Sequence, residues 1–269
     1  MPEGDSVHQL ARRLKFMEGR EVLDSSLRVP RFATTNFNGL ITQEVWPYGK
    51  HLFMRFDDQI LHTHLKMEGT WAVHLKGDKW KKPGYTARVV LVLEPQTYPR
   101  PLEVVGHDLG LVEVFPAAEY KERMEYLGPD VLHNWDILEA KRRILAKPER
   151  AIGAALLDQR NLAGVGNEYR AEICFLAGVH PARAVATVDI TQILEITYRL
   201  MMANKDSPIR VSTGVMRPGE TSYVFGRNNK PCRRCGTLIR KSTLGGPDSG
   251  GEAGELERII WWCPNCQPL

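Results

Sequence analysis

The feature that most constrains this chain is its C-terminal tail, residues 223–269, which carries four of the five cysteines in two Cys-x-x-Cys pairs. A segment of this length cannot hold together by apolar burial alone. Cys232 and Cys235 form the first pair, and Cys263 and Cys266 form the second. This spacing is typical of a four-thiolate zinc site made of two knuckles, with disulfides as the alternative. Because the sequence shows no secretion signal, reduced thiols and one structural zinc ion are expected.

The tail and the residues just before it are basic. Residues 221–247 contain no acidic side chain, and their basic residues are Arg227, Lys230, Arg233, Arg234, Arg240 and Lys241. Such a block is either a surface that faces phosphates or a solvated basic loop. The net charge of +4 also suits a polyanionic partner. The glycine-rich stretch 245–256 predicts a flexible tip between the two knuckles.

Hydrophobic periodicity divides the rest of the chain into two lobes. Residues 5–17 have helical spacing. Residues 21–115 form short β-rich runs, such as 52–56, 60–65, 87–93 and 111–115, and residues 117–204 return to helical patterning, most clearly from Ile190 to Met201. The predicted fold class is α+β, with a β-sandwich domain at 1–120, a helical domain at 121–222 and the zinc finger at 223–269. No stretch has the roughly 18 apolar residues of a membrane span, and the N-terminus lacks a signal-peptide core. We expect a cytoplasmic protein that acts as a monomer without a membrane partner.

The helical region contains a glycine turn at Gly164 and Gly166, between an apolar helix ending near Asp158 and a second helix starting near Glu168. Glycines allow left-handed backbone angles and a close approach of another molecule. The unpaired N–H groups at the start of the second helix suit a phosphate, with the Asn167 side chain as a further donor. A helical hairpin without a ligand is the alternative.

Three motifs in chain order resemble the formamidopyrimidine-DNA glycosylase / endonuclease VIII family. They are the N-terminal MPEG, the block LLDQRNLAGVGNEYRAEICFLAGVHP, and the tail VFGRNNKPCRRCG with WWCPNC. The resemblance implies a β-sandwich domain, a helical domain with a helix-two-turn-helix element and a zinc finger. It also implies removal of oxidised bases from damaged double-stranded DNA, cleavage at abasic-site DNA, and a bacterial cytoplasmic enzyme.

The family pattern assigns the nucleophile to Pro2, which becomes N-terminal once Met1 is removed. An α-amino group titrates at about 8, whereas a lysine at about 10.4 needs about 3 to 4 kcal/mol of tuning to react at neutral pH. A secondary amine bonded to the sugar gives an iminium that stays cationic and draws electrons during β-elimination. Glu3 matches the family's acid catalyst, and Lys50 matches the lysine that assists β-elimination and contacts phosphate.

Three more residues match DNA-binding positions of the family. Arg258 corresponds to the zinc-finger arginine that contacts the phosphates flanking the lesion and assists δ-elimination, and a guanidinium suits that bidentate contact. Asn167 corresponds to the phosphate-binding asparagine. Met67 corresponds to the residue that fills the space left by the rotated nucleotide, although a methionine at a strand end is often a core residue.

The sequence departs from the purine-specific branch at three places. Gly4 is followed by Asp5 and Ser6 instead of by Pro-Glu, residues 106–110 hold no Arg-Phe wedge, and residues 204–222 lack the branch's lesion-capping sequence. These departures favour the endonuclease VIII branch and oxidised pyrimidines. An oxidised-purine glycosylase (8-oxoguanine or formamidopyrimidine) and a catalytically lapsed damaged-DNA-binding protein are the alternatives.

Overall fold

The computed structural model describes residues 2–245 and 257–269. The chain forms two compact units, Met1–Glu125 and Tyr126–Leu269. Among the described residues, no helix has the length and apolar character needed to cross a membrane.

The first unit contains two antiparallel four-stranded sheets. One sheet has the order β1-β6-β7-β5, and the other has the order β2-β3-β4-β8. The strand bounds in chain order are β1 Val22–Leu27, β2 Thr42–Tyr48, β3 His51–Phe56, β4 Gln59–His64, β5 Thr70–Leu75, β6 Ala87–Leu93, β7 Leu102–His107 and β8 Leu111–Pro116.

The main apolar core of this unit collects side chains from both sheets and from helix α1 (Gly4–Leu14). The side chains of Val7, Leu14 and Leu91 are fully buried in it, and Phe37 stacks on Phe56 with ring centroids 4.5 Å apart. Alternate residues of a strand point to opposite faces, so each sheet supplies one apolar face to this core. The predicted β-sandwich is confirmed.

The second unit opens with helices that match the predicted helical region. A short helix α2 (Tyr120–Met124) ends the first unit, and the second unit adds α3 Ile137–Leu145, α4 Ile152–Leu157, α5 Asn167–Leu176 and α6 Ile190–Asn204. The Asp189 carboxylate caps α6 by accepting the N–H groups of Thr191 and Gln192 at 2.9 and 3.1 Å. The buried apolar faces of α3 to α6 form one core.

The C-terminal hairpin pairs β9 (Arg240–Leu244) with β10 (Arg258–Trp262). Its core is shared with α5, because Phe175 packs with Ile239 and Cys263. The Gln267 side chain also donates to the carbonyl of Val179 at 2.9 Å. The boundary at 222/223 between helical domain and zinc finger therefore stays a prediction, and most of the predicted flexible tip lies outside the described residues.

Candidate active site and metal site

The N-terminal residues place a buried carboxyl group beside Pro2. Pro2 is half-buried, and the Glu3 side chain is fully buried although glutamate is rarely so. Glu3 is the N-cap residue of α1, and its carbonyl accepts the N–H of Val7 at 3.1 Å. The positive end of the helix dipole stabilises negative charge at this position. Glu3 is thus not the exposed charge that a chain terminus would ordinarily carry.

Lys50 lies at the tip of the β2–β3 hairpin. Tyr48 pairs with His51, so Gly49 and Lys50 form a two-residue turn. Gly49 has φ 55, the left-handed angle that such a turn requires of a leading glycine. The turn fixes the backbone of Lys50, whose side chain is half-buried.

A histidine cluster that the sequence analysis missed follows Lys50. His51 Nδ1 lies 2.8 Å from His62 Nε2, and His62 Nδ1 lies 3.3 Å from the Glu113 carboxylate. The His64 ring meets the His51 ring edge-on at 4.9 Å. Because an ionised Glu113 only accepts, His62 carries its proton on Nδ1 and His51 donates to the other nitrogen. The signal available in the sequence was the alternation of His62 and His64 on one strand.

Burial is the main reason that these histidines stay neutral. It lowers the pKa of His51 to about 3, that of His62 to about 4 and that of His64 to about 3. The neighbouring histidines and the charges of Lys50 and Lys66 lower the pKa of His51 and His64 further. The cluster is therefore a neutral hydrogen-bonded support at neutral pH.

Met67 lies in the turn between β4 and β5, and its side chain is 64% exposed. The turn is closed by the Gly69 N–H, which donates to the Leu65 carbonyl at 2.9 Å. Met67 is thus not a core residue. At the β7–β8 turn, Leu109 is buried, so the apolar residue of that turn points into the protein.

In the second unit, Asn167 and Arg258 are brought to the same backbone segment. Asn167 is the first residue of α5, and its amide donates to the carbonyl of Ile259 at 3.2 Å. Arg258, exposed, immediately precedes Ile259 at the start of β10. The buried Arg170 donates to the same carbonyl at 2.7 Å and to the Asn167 side-chain oxygen. The sequence analysis missed Arg170, because its partner is a backbone carbonyl 89 positions away in the chain.

The glycine turn that precedes α5 is built around the side chain of Gln159. Its amide donates to the carbonyls of Leu157 and Val165 at 2.8 and 3.0 Å, and its oxygen accepts the Gly164 N–H at 3.0 Å. Gly164 has φ 111, an angle that side chains with a Cβ rarely adopt. This turn sets where α5 begins and therefore where Asn167 lies.

The four cysteines of the tail converge on one point. Their sulfur atoms lie within 4.8 Å of one another, with 3.9 Å between Cys232 and Cys266 and 3.4 Å between Cys235 and Cys263. A disulfide requires about 2.05 Å, whereas four thiolates around a tetrahedral zinc ion stand about 3.8 Å apart. The cluster thus fits a structural metal and contains no disulfide. Cys174, the fifth cysteine, is buried in α5, and burial raises its pKa to about 12.

The basic block is only partly available to a ligand. Arg227 donates to the carbonyls of Tyr223 and Pro231, and Arg233 donates to those of Ser222 and Gly219. The Arg234 guanidinium lies 4.5 Å from the ring centroid of Phe175. These three arginines stabilise the tail itself. The exposed basic residues that remain are Lys230, Arg240 and Lys241.

Two family models match the chain. Residues 1–103 match the formamidopyrimidine-DNA glycosylase N-terminal domain, and residues 127–204 match the formamidopyrimidine-DNA glycosylase H2TH domain. These spans contain Pro2, Glu3, Lys50, Met67 and Asn167.

Relatives of known name align over nearly the full length. The chain is 40% identical to a probable endonuclease 8 2 of Streptomyces coelicolor, over 99% of this chain and 94% of that protein. It is 38% identical to the DNA-(apurinic or apyrimidinic site) lyase Nei2 of Mycolicibacterium smegmatis, over 99% of both. The Lactococcus lactis Fpg in complex with DNA containing an abasic site has the same fold, with a TM-score of 0.80 and 22% identity over 99% of this chain and 100% of that one. By these matches, the chain belongs to the formamidopyrimidine-DNA glycosylase / endonuclease VIII family.

Proposed function

We propose that this chain is a bifunctional DNA glycosylase and abasic-site lyase of base excision repair, which removes oxidised bases from double-stranded DNA. The observation that carries the proposal most directly is the full burial of the Glu3 carboxyl group one residue after Pro2. Burying a carboxyl group costs free energy, so a fully buried one beside a secondary amine is a candidate functional group. Proton transfer at the opening sugar is a role that it can fill. The printed names of the two relatives, an endonuclease 8 and an abasic-site lyase, support the same activity.

In this proposal Pro2, freed of Met1, attacks C1′ of the damaged nucleotide. The bond from C1′ to the base breaks, and Glu3 supplies a proton to the opening sugar or the departing base. The resulting iminium acidifies a C2′ hydrogen. As that proton is lost to water, its electron pair forms the C2′=C3′ bond and the 3′ phosphate leaves, a β-elimination that Lys50 assists from its fixed turn. Hydrolysis of the iminium by water then releases Pro2. The hydrogen-bonded pair of His51 and His62 stabilises the strands that carry this turn.

The DNA backbone is held by Asn167 and Arg258, with Lys50 as a further phosphate contact. Arg170 supports this pair, because it fixes the Asn167 side chain and the Ile259 carbonyl at once. Asn167 keeps one amide hydrogen for a phosphate after its bond to Ile259. Met67, exposed on its turn, fills the gap left when the nucleotide rotates out of the stack.

The metal of the proposed enzyme is one zinc ion held by Cys232, Cys235, Cys263 and Cys266. Thiolate ligands in tetrahedral arrangement favour zinc, and the thiol spacing suits that ion. Zinc bound here stabilises the β9–β10 hairpin and takes no part in the chemistry. Native mass spectrometry is expected to find one ion per chain, and a metal-free folded protein would contradict this assignment.

Oxidised pyrimidines are the proposed preferred substrates. The inward-facing Leu109 supports this preference, because the β7–β8 turn offers no exposed side chain of the wedge type. The test is a side-by-side incubation with duplexes that contain thymine glycol, 8-oxoguanine or an abasic site. Faster excision of thymine glycol supports the proposal, and faster excision of 8-oxoguanine would reassign the enzyme to purines. Tight binding of all three without strand cleavage would identify a lapsed damage-binding protein.

A further inference from the structure

The loop between β5 and β6, residues 76–86, is a strongly basic surface of the first unit. It carries four lysines against one aspartate: Lys76, Lys79, Lys81, Lys82 and Asp78. The charge of Asp78 is already balanced by Arg100, at 2.8 Å. Lys79 and Lys81 are exposed, and within the described part of the chain neither side chain forms an ion pair. Their positive charges are therefore available to a partner.

The basic loop is fastened to its sheet and is not a free tether. The Trp80 indole N–H donates to the Glu103 carboxylate at 3.0 Å. The Arg28 guanidinium lies 5.5 Å from the Trp80 ring centroid, and the His107 ring meets the same indole edge-on at 5.7 Å. These contacts fix the middle of the loop, so its lysines project from a defined position.

Lys82 joins the basic loop to the turn that carries Met67. Its ammonium group donates to the carbonyl of Glu68 at 3.3 Å and to the Asp108 carboxylate at 2.8 Å. The Asp108 N–H in turn donates to the carbonyl of Thr86 at 2.9 Å. The β4–β5 turn, the basic loop and the β7–β8 turn thus meet at one end of the first unit, and Met67 lies next to Glu68 in the first of them.

The basic loop also encloses an open depression of about 460 Å³, lined by Asp78–Gly84.

We propose that the basic loop binds backbone phosphates of the DNA strand that continues past the nucleotide beside Met67. This inference rests on the proposed function, since Met67 has to enter DNA for a strand to pass here. Lysine ammonium groups bind phosphates as point charges, without base preference. The contact with the Met67 turn favours DNA over an acidic protein, because the Lys82 bond to the Glu68 carbonyl holds the basic loop beside the turn that is proposed to enter DNA. Tyr85, 82% exposed at the end of the loop, adds a ring for contact with the sugar or base.

The test is the salt dependence of binding by the double variant Lys79→Ala/Lys81→Ala. Fluorescence anisotropy is measured with a duplex that carries a tetrahydrofuran abasic analogue. Each phosphate contact contributes about 0.9 to the slope of log K against log salt, so the loss of two contacts reduces the slope by about 1.8. The ratio of the DNA-binding constant of the unmodified protein to that of the variant then falls about twelvefold between 50 and 200 mM salt.

The matched control is Lys15→Ala/Lys121→Ala, which removes two exposed lysines of the same unit from other elements. We expect this control to keep the full slope. An unchanged slope in the loop variant would overturn the inference, as would loss of binding to polyglutamate with unchanged binding to DNA. Two further duplexes are each shortened from one of the two ends. With one of them, the loop variant and the unmodified protein are expected to have the same slope, because the phosphates that the loop binds are gone. A difference in slope that persists with both shortened duplexes would also overturn the inference.

Borohydride trapping separates this inference from the proposed function. At saturating DNA, the unmodified protein and the loop variant are expected to form the same amount of covalent adduct, because neither lysine takes part in the chemistry. An unmodified protein that traps no abasic DNA refutes the proposed function itself. If the unmodified protein and the loop variant form equal amounts of adduct and also have equal salt slopes, the inference about the loop is refuted and the proposed function stands.

Discussion

The buried carboxyl group of Glu172 offers a quantitative test of how the cysteine-bearing tail is attached to α5. It is fully buried and accepts three backbone N–H groups, from Tyr223 at 2.7 Å, Val224 at 2.9 Å and Phe225 at 2.8 Å. The variant Glu172→Gln keeps the shape but removes the charge. Its oxygen can retain the bonds to Val224 and Phe225, whereas its NH₂ group then faces the Tyr223 N–H.

The expected loss follows from the kinds of hydrogen bond involved. A bond to a charged acceptor contributes about 1.5 to 3 kcal/mol and a neutral bond about 0.5 to 1.5 kcal/mol, so the two retained bonds weaken by about 1 kcal/mol each. The lost bond leaves a buried donor without an acceptor, at a cost of about 1 to 3 kcal/mol. Burial raises the pKa of Glu172 by more than its hydrogen bonds lower it, so relief of that burial cost offsets the weakening of the two retained bonds. The remaining cost is the Tyr223 N–H left without an acceptor, so the free energy of unfolding is expected to fall by about 1 to 3 kcal/mol.

The assay is urea denaturation in the presence of a chromogenic zinc chelator, which reports the opening of the tail directly. The control is Glu195→Gln on α6, a glutamate whose side chain is 55% exposed and which pairs with Arg199 at 3.8 Å. Removing that surface charge should change stability by less than about 1 kcal/mol. If Glu172→Gln also costs less than that, the carboxylate does not anchor the tail.

Three further results are expected. The pKa values of His51, His62 and His64 are lowered in the folded state, so the unfolded chain binds more protons between pH 6.5 and about 4. The histidines therefore leave the stability of the first unit undiminished above pH 6.5 and lower it below that pH. Urea midpoints measured against pH should show this decline, and the decline should be shallower in His62→Gln. A midpoint that does not change with pH would contradict this expectation. Met67→Ala is expected to leave unfolding within about 0.5 kcal/mol because the side chain is exposed, yet to slow excision from duplex DNA. Equal excision rates, with 2-aminopurine fluorescence as the flipping signal, would remove Met67 from the mechanism. Cys235→Ser is expected to speed zinc loss to a chelator and weaken DNA binding together, and unchanged metal retention would exclude this thiol as a ligand.

Local patterns in the sequence predicted most elements of the fold. The apolar runs at 52–56, 60–65, 87–93 and 111–115 correspond to β3, β4, β6 and β8 within a residue or so. Strands such as β3 and β6 are buried at most positions, so they read as short continuous apolar runs. The helical spacing from Ile190 to Met201 likewise falls within α6. The cysteine spacing predicted the four-thiolate cluster, since two knuckles of this kind bring four sulfurs to one metal.

The parts that could not be predicted depend on partners distant in the chain. Arg170 meets the carbonyl of Ile259, 89 positions away, and Glu172 meets Tyr223, 51 positions away. Neither partner presents a side-chain signal, because backbone atoms do the bonding in both cases. The contact of His51 with His62 likewise requires the register between β3 and β4, which composition does not specify. In the basic block the sequence suggested a ligand surface where the structure shows internal contacts. Arg227 and Arg233 donate to nearby backbone carbonyls.

The measurement that tests the account most directly is the mass of the borohydride-reduced adduct between this protein and abasic DNA. After digestion, the sugar remnant is expected on the N-terminal peptide that begins with Pro2 and lacks Met1, and a chain with an acetylated N-terminus is expected to form no adduct. A remnant attached to Lys50 or to any other lysine, or an undiminished adduct in the acetylated chain, would contradict the claim that the N-terminal amine is the nucleophile.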